Sequence, residues 1–156
     1  MCGFVGGTEP LWNYSAAVES IAHRGPDSSR LHLDGAIKVG FRRLSIIDLA
    51  EEADQPMFAS NGASWLVFNG EIYDFMSVRR RLEKRGYFFR TQSDTEVVLN
   101  SYLEWGDEFI EQLEGMFAIA IWDAEKQELK LYRDRPGIKP LYYFYDGRRF
   151  AFASEL

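Results

Sequence analysis

Cys2 is the only cysteine of the chain and directly follows the initiator methionine. Removal of Met1, usual before a small residue, leaves one residue carrying both a thiol and a free α-amine. The amine ordinarily titrates at about 7.7–8.0 and the thiol at about 8.5, so a base and a nucleophile sit within one side chain of each other near neutral pH. That is how an N-terminal nucleophile is activated. A cysteine at position 2 is more often incidental, and a retained methionine locks the nitrogen in a peptide bond. The reading therefore depends on the rest of the sequence.

The elements that would position Cys2 are legible in outline. Residues 3–8 form a short glycine-rich strand with Cys2 at its tip. A helix is expected at about 13–22, with Ala17, Val18, Ile21 and Ala22 recurring at helical spacing. His23-Arg24-Gly25-Pro26-Asp27 stops it and opens a loop. Residues 30–34 and 36–41 pair around Asp34-Gly35, and 43–48 continue the sheet pattern. Trp65–Phe68 is an apolar run expected to be buried on both faces, ending in Asn69-Gly70, which by itself reads as a tight turn. Asp74 is placed to cap a helix at 75–86, and Ser93–Glu96 has the form of a capping box before a helix at about 94–105. Met116–Trp122 and Leu129–Tyr132 are strands. Leu141–Tyr145 and Phe150–Ala153 form a hairpin around Asp146-Gly147. Strands at both ends and helices in the middle give an α+β layered domain.

Composition limits the function classes. The chain has 156 residues, 46% hydrophobic and 27% charged, which suits one domain with a single sizeable core. No apolar run is long enough to span a bilayer, and no signal peptide opens the sequence. A lone cysteine excludes an internal disulfide and a cysteine-rich zinc site, and fits a reducing cytoplasm. The net charge of −6 argues against a nucleic-acid surface. Arg79-Arg80-Arg81 with Lys84-Arg85 reads as the solvated face of a helix. No metal site is expected, and a membrane partner is not.

Seven segments together resemble one family. They are Met1-Cys2-Gly3, His23–Asp27, Arg43-Leu44-Ser45-Ile46-Ile47-Asp48, Phe68-Asn69-Gly70-Glu71-Ile72-Tyr73, Ser93–Val97, Gly115–Ala118 and Arg133-Asp134 with Gly137-Ile138-Lys139-Pro140. In this order they resemble the glutaminase domain of class II glutamine amidotransferases, N-terminal-nucleophile hydrolases, in the glutamine-hydrolysing asparagine synthetase branch. The resemblance implies a four-layer α/β/β/α sandwich of two antiparallel sheets with Cys2 at the start of a central strand. It also implies hydrolysis of L-glutamine through a Cys2 γ-glutamyl thioester. Asn69 (side-chain amide) and Gly70 (backbone N–H) match the oxyanion donors. Arg43 matches the residue that binds the substrate α-carboxylate, Glu71 and Asp94 those that hold its α-ammonium, and Ile47 a main-chain contact. The His23–Asp27 loop matches a segment folding over bound glutamine, with Arg24 structural. Read alone, Arg43 is a surface arginine beside Arg42, and Asp94 a first-turn acid favoured by the helix dipole.

Phe41 and Pro136 depart from the family pattern outside the matched catalytic positions. The pyrophosphate loop of a synthetase is absent, so ATP and magnesium are expected only in a separate ATP-dependent synthetase domain, fused or docked, and no cofactor in this one. Residues 1–156 read as one glutaminase domain, cut near its C-terminal end; a homodimer is possible. Three other readings stand beside this one. They are an idle structural or regulatory domain, an amidotransferase for an acceptor other than aspartate, and a Cys–His hydrolase using His23 or His32, the only histidines.

Overall fold

A computed structural model describes residues 1–33, 35–60, 62 and 64–156. The expected turn residue Asp34 lies outside the described residues. Nine strands and three α-helices are defined among them: β1 (Gly3–Gly7), α1 (Tyr14–Ser20), β2 (Ser28–His32), β3 (Lys38–Arg43), β4 (Met57–Phe58), β5 (Trp65–Ile72), α2 (Phe75–Glu83), α3 (Asp94–Trp105), β6 (Gly115–Asp123), β7 (Glu128–Arg133), β8 (Tyr142–Tyr145) and β9 (Phe150–Ala153). They form two antiparallel sheets, one in the order β2-β3-β1-β9-β8 and one in the order β4-β5-β6-β7. β1 is thus central, pairing with β3 on one side (Gly3 opposite Arg42) and with β9 on the other (Gly6 opposite Phe152).

The layers follow from side-chain alternation. Phe4, Val39, Phe41 and Phe152 of the first sheet meet Trp65, Val67, Ala118 and Ala120 of the second in a core between the sheets. Phe41 is fully buried. The opposite face of the second sheet sends Leu66, Phe68, Ile72, Ile119 and Ile121 against Val98, Leu99 and Tyr102 of α3. α2 docks on α3 through Val78, Leu82 and Val97. α1 covers the outer face of the first sheet, where Gly40 is needed because a Cβ would fall 1.9 Å from Val18 Cγ2. The expected four-layer α+β sandwich is the observed one, and β5 is apolar on both faces because it is covered on both.

Several local expectations are corrected. α1 stops at Ser20 and passes into a 3-10 turn at Ala22–Arg24. The sheet does not continue through 43–48: β3 ends at Arg43 and the chain turns into a loop. Asn69-Gly70 is no turn but the interior of β5, which runs on to Ile72. Asp74 makes no capping bond; its carboxylate accepts from the Glu114 N–H at 3.3 Å. Ser93 does cap α3, accepting from the Glu96 N–H at 3.3 Å. Glu96 does not reciprocate, because its buried carboxylate accepts from the N–H groups of Arg90 and Thr91 and from the Thr91 hydroxyl. The basic face of α2 is occupied within the chain: Arg79 pairs with Glu83, Arg81 with Gln112 and Arg85 with Glu104.

Candidate active site

The cavity lies where the ends of β1 and β3 approach the far end of β5 and the start of α3, with a volume of about 280 Å³. Cys2, Arg43, Ile47, Asn69, Gly70, Glu71 and Asp94 all line it. These seven residues, matched to catalysis and substrate binding, are therefore in one place, whereas none of the expected covering loop His23–Asp27 is among the lining residues.

Cys2 precedes β1, and its Sγ lies at the mouth of the β1–β3 ladder. The Leu44 N–H donates to the sulfur at 3.4 Å, and the thiol reaches the Leu44 carbonyl at 3.6 Å. Burial pushes the thiol up, opposed by the Leu44 N–H, the chain's amino terminus and Arg43. The Cys2 carbonyl is held from behind by Arg24, whose Nε donates to it at 3.0 Å. With the Asn69 amide oriented to satisfy both its ends, Nδ2 donates to the same carbonyl at 3.1 Å and Oδ1 accepts from Arg24 Nη2 at 3.2 Å. Arg24 is buried, balanced by Glu155 at 2.7 Å, and lies outside the cavity as a structural residue. A primary amide has two N–H donors, so Asn69 keeps a second one.

The direction of the Gly70 N–H follows from strand register. Gly70 is opposite Phe117, and Phe117 exchanges both its N–H and C=O with Asp134 on the other side of β6. In an antiparallel pair the N–H and C=O of a residue point to the same side. Gly70 and Phe117 are thus a non-hydrogen-bonded pair, and the Gly70 N–H points away from β6. On that side of β5, Phe68 is paired with Gln55, and Ile72 donates to Asp94 at 3.2 Å. Between them the Gly70 N–H has no partner among the described residues and faces the cavity. Only glycine fits, since a Cβ would lie 2.2 Å from the Met116 carbonyl oxygen.

Arg43 is the last residue of β3 and is buried, not a surface arginine. Nη1 donates to the Ala50 carbonyl at 2.8 Å and to Asp54 at 2.7 Å, and Nη2 to the Asp48 carbonyl. A guanidinium has five N–H donors in a planar fork. No bond from Nε–H is found among the described residues and Nη2 carries a second N–H, so the group has donors left for a carboxylate. Asp54 also takes Arg30 at 3.0 Å. Exposed Glu51 lies 3.8 Å from Arg30.

The same arginine bonds close the loop after β3 over the cavity. Asp27 accepts from the Ser45 N–H and Asp48 from the Gln92 N–H, both at 2.7 Å. Ile47, in that loop, is partly exposed. Opposite Arg43 are Glu71, exposed at the rim, and Asp94, buried at the start of α3. Burial pushes the Asp94 carboxyl up to about 6, against the bond from the Ile72 N–H and with help from the negative charge of Glu71. One end of the cavity is cationic, the other anionic, and a sulfur with two amide donors lies between. Neither histidine lines it: His23 pairs with Glu155 at 3.0 Å and His32 stacks edge-on against Phe58. Asp54, Gln55 and Lys139 were not singled out in the sequence. For Lys139 the Arg133-Asp134 motif was the available signal.

The sequence profile of the glutamine amidotransferase domain matches residues 1–156, and the chain belongs to that family. "Asparagine synthetase [glutamine-hydrolyzing] 1" of Bacillus subtilis (strain 168) is 44% identical, over 99% of this chain and 26% of its own length. "Asparagine synthetase [glutamine-hydrolyzing] 2" of the same organism is 41% identical, over 88% of this chain and 18% of its own length. The chain spans about a quarter or less of these relatives. The structure of B. subtilis glutamine phosphoribosylpyrophosphate amidotransferase superposes with a TM-score of 0.82 over 99% of this chain and 42% of that one. At 22% identity that likeness shows a shared fold.

Proposed function

We propose that this domain hydrolyses L-glutamine to L-glutamate and ammonia at Cys2, after removal of Met1. Arg43 takes the α-carboxylate and Asp94 with Glu71 the α-ammonium, which sets the side-chain amide against the sulfur. The thiol proton passes to the Cys2 α-amine as Sγ bonds to the amide carbon. The developing oxyanion receives the Gly70 N–H and the free Asn69 N–H. The α-ammonium of Cys2 then protonates the leaving nitrogen, the C–N bond breaks, and ammonia departs. Water, deprotonated by the same amine, hydrolyses the thioester and restores the thiol. The observation that carries this reading is the unpaired Gly70 N–H, aimed into the cavity that also holds the sulfur. A donor left open to the cavity is what an oxyanion hole requires.

The ammonia is passed to an ATP-dependent synthetase domain of the asparagine synthetase type, which would hold the ATP and magnesium, with aspartate as acceptor. The supports for this are the identity to the two B. subtilis synthetases and their greater length. A cytoplasmic setting belongs to the same proposal. So does a homodimer as the assembly to test for. Among the described residues, no helix is long and apolar enough to cross a membrane.

The test is ammonia release from glutamine by protein whose intact mass lacks Met1. Cys2→Ala must abolish it, and diazo-oxo-norleucine must add to the processed thiol. Activity surviving in Cys2→Ala would overturn Cys2 as the nucleophile, and an unreactive thiol after Met1 removal would leave an idle domain as the correct description.

A further inference from the structure

Lys139 lines the same cavity, and it is 7% exposed. Its backbone is fixed by the preceding motif: its N–H donates to Asp134 at 3.0 Å, and its carbonyl accepts from Arg133 at 2.7 Å. The Ile138 N–H donates to the same Asp134 at 2.7 Å, and Gly137 takes the positive φ of +69° that folds the loop back. Asp134 in turn bonds the β6 residue opposite Gly70. The Arg-Asp…Gly-Ile-Lys segment is therefore a bracket that delivers one ammonium to the nucleophile's cavity. There Nζ donates to Met1 Sδ at 3.3 Å, its only side-chain bond among the described residues. A thioether is a weak acceptor, and trimming Met1 removes it. Cys2, which then carries the amino terminus, lines the same cavity as Lys139.

Resting on the glutaminase reading above, we propose that Lys139 is a positioning residue whose ammonium holds the Cys2 α-amine in its neutral, proton-accepting form. A like charge beside an amine disfavours its protonation. The other charges around Cys2 are arranged in a way that leaves this task to Lys139. Behind β1, Arg24 is paired with Glu155, which also takes His23. At the end of β3, Arg43 is held by Asp54 and by backbone carbonyls of the following loop. Asp94 at the start of α3 and Glu71 on β5 favour the ammonium form of the amine until substrate occupies them. Asp48 is engaged by the N–H groups of Ala50 and Gln92.

The experiment compares Lys139→Met and Lys139→Arg with wild type, all processed to residue 2. In a Cys2→Ala background, which keeps the α-amine without the thiol, acylation of that amine is followed against pH by mass spectrometry. Lys139→Met should raise its titration midpoint by about one pH unit, and Lys139→Arg should leave it in place. With Cys2 intact, the acidic limb of kcat/KM should move up with it, lowering kcat/KM about five- to tenfold near neutrality and converging on wild type above about pH 9. An unmoved midpoint overturns the proposal, whether the loss in Lys139→Met is in KM (a substrate contact) or is equal at every pH (a structural role). A chain inactive on glutamine would overturn the function above, while the amine measurement would still decide the case of Lys139.

Discussion

At the scale of single residues, the site asks two kinds of group to do different work. Removing the Asn69 amide should cut kcat by about 10²–10³ with little change in KM, because that donor meets charge formed only in the transition state. Arg43→Ala should instead raise KM and leave kcat nearly intact, since substrate and transition state share the carboxylate contact; steady-state kinetics separate the two. Asp94 gives a pH prediction. Its folded carboxyl titrates at about 6 against an ordinary 3.8, so the folded chain binds the proton more tightly than the unfolded one. The stability contribution is full below about pH 3.8 and is lost as pH rises through about 6. Asp94→Asn, which can still accept from the Ile72 N–H, should be more stable than wild type at neutral pH by on the order of 2 kcal/mol, with the gap closing in acid. Urea melts at both pH values check this, and equal stability at neutral pH would mean the carboxylate bears no burial penalty. The same variant should bind glutamine worse. The sequence made Asp94 legible as an acid in a first helical turn. It could not show that the residue is buried, because burial depends on β5 lying against α3.

Elements were easier to name than to place. The apolar run at 65–68 announced β5, but the Asn-Gly that follows has turn chemistry. Only the pairing of Asn69 with Ala118 and Gly70 with Phe117 overrules it. Likewise the β-branched character of Ile46-Ile47 suggested a strand, whereas Arg43 bends that stretch into a loop by bonding three of its neighbours. The Glu96 carboxylate was predicted to complete a capping box and instead ties down the segment before α3. That segment reaches the cavity loop through the bond from Gln92 to Asp48. Glu96→Ala leaves several buried N–H and O–H donors unpaired and should cost about 3 kcal/mol in chemical denaturation. It should also raise KM for glutamine by loosening that loop. A destabilised variant with wild-type KM would show that the two segments are independent.

Across the whole molecule, alternation and helix faces pointed to a layered α+β domain, the four-layer order came from the family resemblance, and the strand order was legible from neither. Nothing in residues 150–153 announces that they pair with residues 5–7 at the other end of the chain. Phe152 sits in the inter-sheet core beside Phe4, so deleting 150–156 strips β1 of a neighbour and opens that core. Such a chain should show no cooperative thermal transition by circular dichroism, and a sharp melt would mean β3 alone suffices to hold β1. This pairing also sets an order of events on the ribosome. Strand β1 emerges first but gains its second neighbour last, when nearly the entire domain has been synthesised. Until then β1 has β3 alone beside it, so on the reading proposed above the starting methionine is best clipped before the sheet is complete.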